Sequence, residues 1–427
     1  MKRYFILTSF ILLTLLSATV LGKDNSAAVP ANGSSLPYTV LITLPNGTEV
    51  RNGGYGSSAM AHPTQENLFY AITDRGPNAD YTGDAGKGKK FPVPYYSPRI
   101  GLFKINDDGR ISLEKEIILK NPAGKAITGL PNPKGRGATG EVPYDNSGKV
   151  LSYDDYGLDS EGIVALKNGE FWICDEYGPH IVHYSREGVE LERISPVGVD
   201  TGKRKLPAVL KRRRANRGME GLTITPDEKV LVSIMQSTLF NPKKAETKNT
   251  KVTRIITFDL KSAKTRQYLY FQEKAWNANS EITALSNTTF LVVERDGKFS
   301  GAEAAQKHVY KIDISGATDV SGKFDDQNGM LINGKTIEQC SMDEIKAAGI
   351  KPVQKELVVD LVKYLPNHYP HDKLEGIVYI NNRTIAVLND DDFAVSVEKG
   401  EVIQKILPGT SDIDGNRLYI IRLGSDI

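Results

Sequence analysis

The chain reads as an all-β protein, a β-propeller of four-stranded blades. Three observations predict it: a short, mostly acidic opening that recurs along the sequence, the apolar runs that follow each copy, and the alternation inside those runs. The copies begin at Ser58-Ala59-Met60, Glu161-Gly162-Ile163, Glu220-Gly221-Leu222, Glu281-Ile282-Thr283 and Glu375-Gly376-Ile377, and four of the five carry Glu first. After a turn, a second apolar run closes on a polar group: Asp74-Arg75, Asp175-Glu176, Met235-Gln236, Glu294-Arg295-Asp296 and Asn389-Asp390-Asp391. Only the third copy lacks an acid there. A third run alternates apolar and polar residues, as in Ile100-Gly101-Leu102-Phe103-Lys104-Ile105, which marks a strand with two unequal faces. A fourth run follows in four copies, at 113–119, 190–194, 266–271 and 355–361. The fifth copy has none, and an orphan strand at 38–44 is expected to complete it. Repeating such units radially protects strand edges by closing a ring. Five blades are visible, a sixth and more divergent one stays open, and an all-β sandwich is the alternative.

The start of the chain has a different character. Met1-Lys2-Arg3, the apolar stretch 4–16 and the small residues up to Gly22 have the three parts of a secretory signal peptide, with cleavage near Gly22 and a secreted or periplasmic product. The apolar core is shorter than the ~20 residues a membrane span needs, and no later segment reaches that length. Residues 23–36 are rich in Ser, Ala, Asn and Gly and read as a disordered leader, followed by one propeller domain over 37–424. An insertion near 317–352 carries a helix at 342–348. Two cysteines, Cys174 and Cys340, do not make a disulfide scaffold, although one bridge stays open. A net charge of +2 argues against a general nucleic-acid-binding surface, despite the local basic run at 203–214.

Neighbouring antiparallel strands run in opposite directions, so the start of strand one and the end of strand two share one end of each sheet. With strand one innermost, Glu161, Glu220, Glu281 and Glu375 should converge on a central channel. The long connections, 76–98, 120–160, 195–219, 297–307 and 362–374, fall on that same face, where a rigid scaffold usually carries its chemistry. Repeated Glu-Gly has two readings. The carboxylates cap backbone amides of neighbouring blades while glycine permits close approach near the axis, or they bind cations. Several carboxylates in one channel resist common ionisation unless cations compensate them. Calcium, hard and oxygen-seeking, is the natural compensator. The candidate ligands are Asp159, Glu161, Asp175, Glu176, Glu220, Glu281, Glu294, Glu375 and Asp390. The six histidines show no ligand-type spacing. Arg75, Arg217 and Arg295 adjoin acids and serve either as salt bridges or as clamps for an anionic substrate.

Asp-Ser-Glu-Gly-Ile at 159–163, Asp-Glu-Tyr-Gly-Pro at 175–179, Arg-Gly-Met-Glu-Gly-Leu at 217–222 and Thr-Asp-Arg-Gly-Pro-Asn at 73–78 together give the resemblance. From about Tyr38 to Leu423 the chain resembles the phytase-like family described as having esterase-like activity. The resemblance implies an exported propeller that hydrolyses a phosphoester or ester, with a small anionic or ester substrate. On that reading calcium polarises an oxygen and orients a water, Arg75 or Arg217 stabilises developing charge, and Glu161 or Asp175 acts as ligand or base. His180 is the protonatable candidate nearest that face, although a role in steadying its own loop is the favoured reading for it. Gly-x-Ser-x-Gly is absent, so no serine nucleophile is expected. The competing class is a non-catalytic, calcium-stabilised propeller that binds a glycan or a protein partner.

Overall fold

The alternating runs form five antiparallel four-stranded sheets in the computed structural model, which describes residues 25–197 and 202–427. The expected signal peptide and its cleavage point lie outside the described residues. The first sheet comprises Ser58–Ala61, Leu68–Ile72, Arg99–Ile105 and Ile111–Ile118, and the second Ser160–Ala165, Phe171–Asp175, Ile181–Tyr184 and Glu190–Ile194. The third holds Met219–Ile224, Val230–Met235, Val252–Asp259 and Thr265–Phe271, and the fourth Ala278–Ala284, Thr289–Arg295, Lys307–Asp313 and Gln354–Asp360. In the fifth, Ile377–Asn381, Thr384–Leu388 and Arg417–Arg422 are joined by Ser34–Ser35.

Apolar residues on both faces of these strands fill the gaps between sheets. Ile72 and Ile100 of the first sheet pack against Ile163 and Phe171 of the second. Trp172 packs with Leu222 of the third, Ile234 with Ile282 of the fourth, Val293 with Ile377 of the fifth, and Phe103 with Val378 back at the first. The five first strands touch in the same cyclic order. At the end remote from the acids they surround an apolar cavity of about 330 Å³ lined by Ala61, Ala165, Ile224, Ala284 and Tyr379.

Two expectations about the amino-terminal region are corrected. The strand that completes the fifth sheet is Ser34–Ser35, paired with Leu418 and Arg417, while Val40–Thr43 forms a separate hairpin with Glu49–Arg51. Residues 25–36 are not a disordered leader. Asn25 donates through Nδ2 to the Ile105 carbonyl, and Val29 and Leu36 are buried in the core between the fifth and first sheets. Three well-placed contacts outweigh a polar composition.

The long connections carry structure of their own. Ala79–Gly83, Gly86–Lys90 and Val142–Tyr144 make a three-stranded sheet, and Val395–Glu398 pairs with Glu401–Gln404. Val50, Ala79, Val93, Phe393 and Val402 give these pieces a shared core. The insertion includes the helix Met342–Ala347, opened by a Ser341–Glu344 capping box, and it packs Ile337 and Ile345 against Val252 and Leu269 of the third sheet. Cys174 and Cys340 are both buried free thiols. No described helix is long and apolar enough to cross a membrane.

Candidate functional site

A β-bulge aims the repeated acids. In the second sheet Ser160 pairs with Asp175 and Gly162 with Cys174, leaving Glu161 as the extra residue. In the third, Met219 pairs with Met235 and Gly221 with Ile234, leaving Glu220. In the fifth, the Glu375 amide donates to the Leu388 carbonyl while the Leu388 amide donates to Gly376. Bulges re-aim a side chain without breaking the sheet, and here they turn three carboxylates toward one mouth. Behind them the backbones nearly touch: a Cβ on Gly162 would meet the Leu222 nitrogen at 2.6 Å, and one on Gly221 the Ile282 nitrogen at 2.5 Å.

In the fourth sheet the bulge falls one residue earlier. Asn279 pairs with Glu294 and Glu281 with Val293, so Ser280 is the extra residue and Glu281 stands where its neighbours have glycine. Glu281 therefore drops below the ring. It accepts hydrogen bonds from the Ser58 hydroxyl of the first sheet, across the axis, and from its own neighbour's amide, Ile282 N, at 2.9 Å. Burial holds its carboxyl well above the usual range. The four-membered glutamate ring is corrected to three, Glu161, Glu220 and Glu375, with Glu281 as a cross-channel strut.

Acids crowd one sector of the mouth. Asp74, at the end of the first sheet's second strand, joins Asp159 and Glu161, with one oxygen from each lying within 4.8 Å of the others. All three are buried. Burial, and then Asp390 and Asp159, push Asp74 upward; burial raises Asp159 although Arg75 opposes it. Burial, followed by Glu220, Asp159, Glu176 and Glu375, pushes Glu161 well above the carboxylate range. Beside them Glu176 and Glu220 share a carboxyl contact, and burial raises Glu220 to about 7. Gln236, the residue that replaces an acid in the third repeat, donates to Glu176 Oε1 at 2.7 Å. Glu220 Oε2 is buried without a hydrogen-bond donor, and Asp159 Oδ2 has only the Arg75 Nε ion pair at 3.3 Å. An all-oxygen, mostly carboxylate donor set with an orphaned oxygen on Glu220 fits a hard divalent cation such as calcium.

The remaining candidates lie elsewhere or are already engaged. Asp175 accepts from the Asp159 amide at 2.8 Å and the Gly178 amide at 2.7 Å, closing the 175–180 turn, and burial raises it to about 6. His180 is fully buried behind that turn, 3.9 Å from Asp175, and burial keeps it neutral. Glu294 is already engaged, accepting from Glu273 N, Asn277 Nδ2 and the Tyr270 hydroxyl. Asp390 is paired with Lys373 at 2.5 Å. Among the arginines, Arg75 lies 3.3 Å from both Asp159 and Glu141, and Arg295 pairs with Glu375 while donating to Ser280 Oγ at 2.9 Å. Among the described residues the Arg217 side chain has no carboxylate ion-pair partner, and it donates to Ser237 Oγ at 3.3 Å, with Glu176 and Glu220 in electrostatic reach.

Sequence reasoning missed the basic groups of the fifth sheet. Lys405 reaches Asp372, Asp392 and Asp414 at 2.8, 2.7 and 3.2 Å, and Lys373 also binds Asp392, at 2.6 Å. His371 Nδ1 lies 2.6 Å from Asp414, with its Nε2 2.8 Å from the Tyr419 hydroxyl. Lys373, two residues before Glu375, was the available signal.

Residues 52–393 match the family model described as phytase-like, esterase-like activity of phytase. A protein of Arthroderma benhamiae described as an uncharacterized secreted protein is 27% identical over 346 residues, covering 64% of this chain; the match spans 66% of that relative, just under two thirds of its length. Among solved structures, a protein from Lactobacillus plantarum aligns with 87% of this chain and 92% of its own at 9% identity and a TM-score of 0.33. Virginiamycin B lyase from Staphylococcus aureus aligns with 83% and 99%, at 10% identity and a TM-score of 0.26.

Proposed function

The chain belongs to the phytase-like family, and on that premise we propose that it is an exported ester hydrolase, acting on a phosphoric rather than a carboxylic ester, with its site at the acid-crowded mouth. Its five sheets are read as the five blades of a closed propeller, supported by the cyclic contact of the first strands and a separate core between each pair of sheets. The observation that carries the reading is the excess of buried carboxylates around Asp74, Asp159 and Glu161, with Arg75 their one basic ion-pair partner among the described residues. Those three residues would hold calcium, aided by Glu220. Bound there, calcium supplies charge neutralisation and Lewis acidity toward a substrate oxygen.

The chain's own groups do the rest. Arg217, uncommitted to a carboxylate, holds the anionic group of the substrate by paired hydrogen bonds. Arg75 and Arg295 fix Asp159 and Glu375 in place. Glu220, which burial raises to about 7 in the calcium-free chain, would give up its proton when a cation is held beside it. Asp175 and His180 steady the loop that carries Glu176. The competing reading, a calcium-stabilised binding module, draws on Glu281 and Glu294, whose oxygens are occupied by internal donors. A panel of phosphomonoesters, phosphodiesters and aryl esters, run with and without millimolar calcium, separates the two. Calcium-dependent turnover that Glu161→Gln and Arg217→Gln abolish supports the hydrolase; no turnover on any ester, with Glu161→Gln altering only melting, rejects it.

A further inference from the structure

The rim between the third and fourth sheets holds an aromatic side chain in an unusual way. Trp276 lies in the connection 272–277, and its φ of +79° falls in the left-handed region that bulky residues rarely occupy. Such strain persists where surrounding structure enforces it, and it concentrates at functional sites. Here the enforcement is visible. Glu294 Oε1 accepts from the Glu273 amide at 2.6 Å and from Asn277 Nδ2 at 2.7 Å, clamping the loop on both sides of Trp276. The indole N–H donates to Asn249 Oδ1 at 3.2 Å, and the Arg214 guanidinium lies 4.4 Å from the ring centroid. Despite all this fixation Trp276 stays 46% exposed, whereas Trp172 is buried. The Arg217 amide donates to the Arg214 carbonyl at 3.1 Å, and residues 272–277 lead directly into Ala278–Ala284, which places the indole beside the mouth.

From this arrangement we infer that Trp276 is a substrate-binding platform, and that the substrate carries a planar aromatic ring next to the anionic group held at Arg217. The inference rests on the mouth proposed above as the anion site. It adds the ring. Burying an indole face without a ligand would need no strained backbone, and a solvent-exposed loop residue would need no clamp. Arg214 both supports the ring and leaves the indole pre-oriented, so stacking costs little side-chain entropy. Offset stacking of two aromatic rings is the interaction such a plane offers.

Binding of phenylphosphonate and methylphosphonate, neither of which is an ester, tests this independently of hydrolysis. Titrations of the calcium-loaded chain follow Trp276 fluorescence and calorimetric heat. The ring-bearing phosphonate is expected to bind about three- to tenfold more tightly than the methyl compound. Trp276→Gly, which accepts the positive φ, should remove that preference, and Trp276→Tyr should restore most of it. Equal affinities in the native chain, a preference that survives Trp276→Gly, or no binding of either phosphonate overturns the inference. A ring preference without turnover of any ester leaves it standing while the hydrolase reading fails; turnover without ring preference does the reverse.

Discussion

The second and fifth sheets bring similar numbers of acids to the same face, yet the acids meet different fates. Around the fifth, Lys405 serves Asp372, Asp392 and Asp414, Lys373 serves Asp390 and Asp392, and Arg295 serves Glu375. Around the second, Asp74, Asp159, Glu161, Glu176 and Glu220 have Arg75, the distant Arg217 and a neutral donor, Gln236. Every acid named in the fifth-sheet cluster is ion-paired to a lysine or arginine, and the cluster organises its loops. The second-sheet cluster is left incomplete, and incompleteness in a buried cluster is what a ligand can relieve. An acid-rich motif thus has no fixed meaning until its countercharges are located.

Removing a countercharge from the ion-paired side should have the largest effect. Lys405→Met leaves three carboxylates sharing one less cation in a buried setting, and it is expected to destabilise by about 3–5 kcal/mol. Urea unfolding measures it, and calcium should not rescue it. On the incomplete side Glu161→Gln is expected to cut ester turnover about a hundredfold or more, a typical loss for a group that fixes transition-state charge, with little loss of stability in the absence of calcium. If the two variants behave alike, the contrast between the sheets is wrong.

Stability against pH sharpens the comparison. Folding raises Glu220 and Glu375 to about 7, mainly by burial, above the usual carboxylate values of an unfolded chain. The stability tied to these groups is complete below the unfolded value and is lost as pH rises through about 7. Melting of the calcium-free chain is therefore expected to fall between pH 5 and pH 8, and millimolar calcium should raise it at pH 8 far more than at pH 5. The smallest effect belongs to Glu281→Gln. Its carboxyl already favours the protonated form, so the amide should cost about 1 kcal/mol in thermal or urea unfolding and leave calcium affinity unchanged.

Much of this was legible from residues alone. Strand order, the sheet limits at 190–194, and the convergence of Glu161, Glu220 and Glu375 follow from repeat spacing and strand direction. The fate of Glu281 was not legible, because a one-residue change in bulge position exchanges the two faces of a strand and leaves no mark in composition. Asp74 was read as a repeat acid but not as a partner of Asp159 and Glu161, since that contact joins two sheets across 85 residues of chain separation or more. Ser34–Ser35 was missed as the closing strand because two serines carry no periodicity at all.

Calorimetric titration of calcium into the chelator-treated chain at pH 8, native beside Glu161→Gln, tests the central claim most directly. A saturable site in the native chain that is lost in Glu161→Gln is the predicted result. No calcium heat in the native chain, or binding that survives Glu161→Gln unchanged, would contradict it.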